Sequence, residues 1–260
     1  MSLEPKSYKV LSFDIYGTLI DWETGLYTSL LPLLEKLSTS SPHHPSKHTA
    51  QEIRRYILSR YTYLELSVQA AEPSLPYSKV LSKVWLKLAE ELEIETSDSE
   101  AEKFGATIGT WPAFPDTVEA IKELGKHYKL IVLSNVDKAS FARTNSGPLQ
   151  GVKFDAIYTA EDIGSYKPDP RNFQYLFDHA FEEFGAKKEE ILMVAQSLLH
   201  DHRPVKKMGM RPSVWIERRP GDDVAQMGGT RAEAGDDVNL AATYKSLGEF
   251  AGVIKEAFES

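Results

Sequence analysis

The chain has 260 residues, 30 Lys and Arg against 38 Asp and Glu, and no cysteine. Its net charge of −8 argues against a nucleic-acid partner, which needs a concentrated basic surface. The lack of Cys excludes disulfides, thiolate metal sites and a Cys nucleophile. The start, Met1-Ser2-Leu3-Glu4-Pro5-Lys6, has no apolar signal-peptide core, and no uncharged run reaches membrane-spanning length. The expectation is a cytoplasmic protein with no membrane partner.

In chain order, residues 9–13 form a short apolar run that predicts a buried strand, and it ends on Asp14-Ile15-Tyr16-Gly17-Thr18-Leu19. A carboxylate at a strand end, ahead of a Gly turn and a hydroxyl, can serve as a nucleophile or cap the turn. From Asp21 to Trp111 the patterns are helical only, over residues 24–37, 49–71, 77–92 and 100–108. Trp22, Tyr77 and Trp85 are aromatics of this block that could line an apolar pocket, although such residues more often fill a core.

Pro112 and Pro115 mark a return to α/β alternation. Strands are predicted at 130–133, 156–159, 191–195 and 213–216, with helices at 116–127, 137–144, 170–184, 202–209 and 244–258. Continuous Val/Ile/Leu runs suit strands covered on both faces, and their alternation with helices predicts a parallel sheet. Residues 219–237 read as a long surface loop. The strand ends carry polar groups in sequence: Ser134-Asn135, Lys167 in a Tyr-Lys-Pro-Asp-Pro loop, and Gln196-Ser197-Leu198-Leu199-His200-Asp201.

This ordered set (strand-Asp, strand-Ser, loop-Lys, strand-acid) resembles the haloacid dehalogenase superfamily across essentially the whole chain. The resemblance implies an α/β fold, a Rossmann-like parallel core of residues 1–20 and 112–260 with an all-helical cap of residues 21–111. Phosphatases of the superfamily carry Asp-x-Asp at the first motif, where the second Asp does acid–base work. Here Tyr16 stands in that place, and a phenol with a pKa of about 10 is a poor base at neutral pH. Asp-x-Tyr-Gly-Thr-Leu is similar to the type II (L-2-haloacid) dehalogenases, in which Asp displaces a halide that needs no proton.

The resemblance implies catalytic roles for Asp14, Lys167, Asp201, Ser134 and Arg55. Lys167 would keep Asp14 ionised. Arg55, spaced suitably ahead of Tyr61, would hold the halide, with Arg54 as fallback. Ser134, Asn135 and the backbone amides of Tyr16, Gly17 and Thr18 would bind the carboxylate of a small anionic substrate. Asp201, with Ser197 and His200, would place the hydrolytic water. The fourth motif departs from the family by one apparent extra residue and by His200 in place of an aromatic. With an acid lost at Gln196, a metal-free site is expected; Mg²⁺, if bound, would use Asp14 and Asp201. A Mg²⁺-dependent phosphatase and a non-enzymatic binding protein are the alternatives. Helix residues 53–68 offer a face for a homodimer contact.

Overall fold

The computed structural model describes residues 3–218 and 228–260. Among them is a parallel sheet of β1 (Val10–Phe13), β2 (Lys129–Ser134), β3 (Ala156–Thr159), β4 (Ile191–Ala195), β5 (Ser213–Ile216) and β6 (Leu240–Tyr244), in the order β3-β2-β1-β4-β5-β6. Both neighbours of β1 are parallel to it, with Phe13 opposite Val132 on one side and Val194 on the other. The chain order reverses at β1, and in open α/β sheets a ligand crevice lies beyond the strand ends at such a point. Every residue of β1 is buried, which explains why it reads as apolar without alternation.

Between β1 and β2 the chain runs through α1 (Trp22–Leu34), α2 (Ala50–Ala71), α3 (Tyr77–Glu91) and α4 (Asp98–Gly105). We take this block as the cap. Its entry and exit are tied together: Ile20 bridges Ala113, and the Asp21 amide donates to the Pro112 carbonyl at 2.8 Å. Thr49 starts α2 with a capping box, its hydroxyl accepting from Glu52 N while Glu52 Oε2 accepts from Thr49 N; two otherwise unsatisfied amides are thereby paired. Gly25 lets α1 approach the return segment, since a Cβ there would stand 2.3 Å from Cγ of Trp111.

The core resumes with α5 (Thr117–Leu124), α6 (Lys138–Ser146), α7 (Ala160–Ile163), α8 (Pro170–Phe184), α9 (Arg203–Lys207), α10 (Arg231–Ala234) and α11 (Leu247–Glu259). Pro170 opens α8, where its missing N–H costs nothing, and Gly185 closes it at φ 62°. Two features depart from expectation. β6 was not foreseen, because Leu-Ala-Ala-Thr-Tyr is a half-buried edge with little alternation. The segment read as a surface loop is more than that: residues 219–227 lie outside the described residues, but Ala234 and Val238 are buried against Leu198 and Trp215. Among the described residues, no helix is long and apolar enough to cross a membrane.

Candidate active site

The ends of β1, β2 and β4 and the loop before α8 converge under the cap on a cavity of about 290 Å³. Asp14, Ser134, Lys167 and Asp201 line its floor. Lys167 Nζ donates to Asp14 Oδ1 at 2.9 Å, to Asp201 Oδ1 at 2.7 Å and to the Leu133 carbonyl at 2.8 Å. An ammonium has three protons, so this cation is fully engaged. Burial works against its charge, but Asp14 and Asp201 outweigh that cost and leave the Lys167 pKa raised.

Asp14 is fixed from both sides. Its Oδ2 accepts from the Thr18 hydroxyl at 2.8 Å, and Thr18 Oγ1 accepts in turn from the Gln196 amide at 2.9 Å. Gly17 adopts φ 100°, a left-handed turn that brings Thr18 back beneath the nucleophile. Asn135 clamps the lysine loop: its Nδ2 donates to the Lys167 carbonyl at 3.0 Å and its Oδ1 accepts from the Lys167 amide at 2.6 Å.

Several expected substrate contacts are therefore positioning contacts. Gly17 and Thr18 do not line the cavity, and their amides bond within the turn to the carbonyls of Ile20 and Ile15. Asn135 lines it but spends its amide on Lys167. Tyr16 also lines it; its hydroxyl pairs with Thr144 Oγ1 at 2.8 Å, and burial raises its pKa. The phenol is thus neutral and no base. Among the described residues Ser134 Oγ and Asp201 Oδ2 are buried without a hydrogen-bond partner, and both residues line the cavity.

The altered fourth motif has a structural account. Leu198–His202 forms a π-helical turn, in which the His202 amide reaches back to the Ser197 carbonyl at 3.3 Å. Through this wider turn Asp201 is brought to Lys167, which gives the unusual spacing of the motif a local geometry. Ser197 caps it, accepting from His200 N at 3.0 Å, and its hydroxyl also lies 3.1 Å from His200 Nδ1. Both residues line the cavity. Burial, aided by Lys167, lowers the His200 pKa to about 4, so its ring is uncharged at neutral pH. Burial above all raises the Asp201 pKa, although Lys167 opposes the shift.

Arg55 is not brought to the site. It is exposed on α2 and does not line the cavity. It shares a helical stripe with Thr62 and Leu66 but stands seven residues before Thr62, about 10 Å along the axis at 1.5 Å per residue. Arg54 lies 3.7 Å from Glu23 and over the Tyr27 ring. The cap instead presents Thr62, Glu65, Leu66, Gln69 and Tyr77, with Trp22 and Trp111 at the side. Trp85 is core, its indole donating to Thr96 Oγ1 at 2.7 Å. Glu65 and Trp111 were missed; the spacing of 62, 65, 66 and 69 along one helical stripe was the available signal.

These features decide the family. Residues 8–195 match the haloacid dehalogenase-like hydrolases. The chain belongs to that family and is a hydrolase of its kind. It is 25% identical over 222 residues to an (S)-2-haloacid dehalogenase of Pseudomonas putida, covering 83% of this chain and 87% of that one. The corresponding enzyme of Pseudomonas fluorescens is 25% identical over 215 residues, covering 80% and 84%. In fold the chain is similar to an L-2-haloacid dehalogenase of Xanthobacter autotrophicus with chloropropionic acid covalently bound, at TM-score 0.70 and 15% identity, over 95% and 98% of the two chains. A HAD-hydrolase of Bacillus subtilis bound to magnesium is similar at TM-score 0.69 and 16% identity, over 95% and 99%. For such an ion this chain offers Asp14 and Asp201, both already bonded to Lys167. No cluster of three or more His, Asp or Glu suited to a metal occurs among the described residues. The donor set fits Mg²⁺ poorly.

Proposed function

We propose that this hydrolase dehalogenates a small 2-haloacid through a covalent ester on Asp14, without a metal ion. The observation that carries the reading is the pair at the first motif. Asp14 is oriented by Lys167 and Thr18 beside a cavity, while the next inward side chain, Tyr16, is a neutral phenol tied to Thr144. A nucleophile without an adjacent acid suits a leaving group that needs no proton.

In this reading Asp14 Oδ attacks C2 with inversion, and the C–halogen electron pair departs with the halide. Ser134 Oγ, without a partner among the described residues, donates to the substrate carboxylate. The free Oδ2 of Asp201 then accepts a proton from a water held near Ser197 and His200. That water attacks the ester carbonyl of Asp14, and the bond from that carbonyl carbon to the substrate oxygen breaks. The departing alkoxide takes the proton from Asp201 to leave as the 2-hydroxyacid, while regenerated Asp14 loses its own proton to solvent.

Single-turnover reaction of the enzyme with 2-chloropropionate in ¹⁸O-water tests this. Halide release with one label in the Asp14 peptide is the expected result. Halide release without label would overturn the covalent route. Turnover of p-nitrophenyl phosphate that depends on Mg²⁺, with no halide release, would make the chain a phosphatase.

A further inference from the structure

With Arg55 outside the cavity, the departing halide has no cation to meet it among the described lining residues. Lys167 has given its three protons to Asp14, Asp201 and Leu133, and His200 is uncharged. In a displacement at carbon the leaving group departs opposite the nucleophile. Asp14 stands at the end of a core strand, so the halide moves towards the cap, where α2 places Glu65.

Glu65 is an unusual residue for such a position. Its side chain is buried, at 3% exposure, and lines the cavity. The Tyr77 hydroxyl donates to its Oε1, and Tyr77 is joined at 3.0 Å to the hydroxyl of Tyr61. The Tyr61 hydroxyl also lies within hydrogen-bonding reach of the carboxyl, and the carboxyl still borders the cavity that Glu65 lines. Every neighbour facing Glu65 is neutral or acidic: Tyr61 on its own helix, Tyr77 on α3 and Tyr166 from the loop before α8. Across the cavity lie Asp14 and Asp201 with the engaged Lys167, and neutral His200. Arg54 and Arg60, on the same helix, are paired with Glu23 and Glu91. Among the described lining residues are three carboxyls and one lysine, and a carboxyl that stays protonated there favours the entry of an anion.

We infer that Glu65, in its carboxylic-acid form, is the cap's hydrogen-bond donor to the departing halide. This rests on the dehalogenase reading above. The Asp14–C2 bond forms, the C2–halogen bond breaks with both electrons on the halide, and Glu65 shares its proton without losing it. Burial pushes the Glu65 pKa up to about 7, in keeping with this form, and a nearby anion favours it further. The principle is that of a carboxylic acid kept neutral so that it can donate.

Bromide binding, read from quenching of Trp22 and Trp111 in the cavity wall, tests the inference apart from turnover. The wild type should bind bromide about thirtyfold more weakly near pH 8.5 than near pH 5.5, the ratio for an acid titrating at about 7. E65Q, which keeps a donor without titrating, should lose most of that change; E65A should bind weakly at both pH values. Asp201 titrates on the floor in all three proteins, so the difference between them belongs to Glu65. The same pH dependence in E65Q as in wild type, or no bromide binding at acid pH in a folded wild type, would overturn the assignment. Bromide binding as expected without any halide release would uphold the anion site and sink the dehalogenase reading instead.

Discussion

The amide of Gln196 donates to the hydroxyl of Thr18 at 2.9 Å, so the end of β4 holds the residue that holds the nucleophile. Thr18 is fully buried and donates its own hydroxyl in a hydrogen bond to Asp14 Oδ2. Thr18→Ala would leave the Gln196 amide unpaired and Asp14 free to rotate about its side chain. We expect a stability loss of about 1–3 kcal/mol, the cost of an unmet buried donor. The kcat for halide release should fall about tenfold or more, with KM little changed and Thr18→Ser restoring most of it. A change confined to KM would place Thr18 on the substrate instead.

Tyr16→Phe separates the two reaction classes. Removing its hydroxyl deletes one hydrogen bond to Thr144 and costs about 1 kcal/mol of stability. Because the phenol is neutral and turned aside, kcat should stay within about fivefold of wild type. A fall of about a hundredfold, the scale of a lost general acid, would mean that Tyr16 transfers a proton.

Arg55→Ala should leave kcat/KM within about twofold, as surface substitutions generally do. Steady-state halide release checks it directly. A large loss would require α2 to shift by about two turns on substrate binding.

Two buried groups set opposite limits on stability with pH. Burial lowers the pKa of His202, which sits between Ser213 and the Ala195 carbonyl, from 6.5 to about 4. Its native form binds fewer protons than the unfolded chain, so its contribution is complete above 6.5 and is lost as pH falls towards 4. Glu65 is shifted the other way, from 4.5 to about 7; its contribution is complete below 4.5 and is lost as pH rises through 7. Denaturant titrations from about pH 5 to about pH 8 should therefore show wild type losing about 2–3 kcal/mol relative to Glu65→Gln. A constant difference would show that Glu65 is not shifted.

What could be read in advance, and what could not, divides along physical lines. Asp14, Ser134, Lys167 and Asp201 were legible because a parallel sheet gathers its strand ends whatever the intervening chain does. The cap offered no such guarantee. Arg55 lies on a stripe with cavity residues, so periodicity alone could not reject it; only the axial placement of α2 does. Glu65 went unseen because an acid on an amphipathic helix ordinarily faces water, which outweighs its place on the stripe of residues 62, 65, 66 and 69, and the spacing does not show that Tyr77 of the next helix encloses it. β6 hid behind two alanines, and the fourth motif looked damaged because sequence spacing carries no sign of a π turn.

That turn also bears on how such a site changes over generations. Leu199 and His200 face the cavity from within Leu198–His202, while Asp201 closes the turn on Lys167. The wide turn carries these side chains while its Asp201 stays bonded to Lys167. The segment thus behaves as an adjustable spacer. Insertions and replacements in it can reshape the wall that a substrate touches, leaving the reacting groups in place, so new specificities can arise without first passing through a dead enzyme.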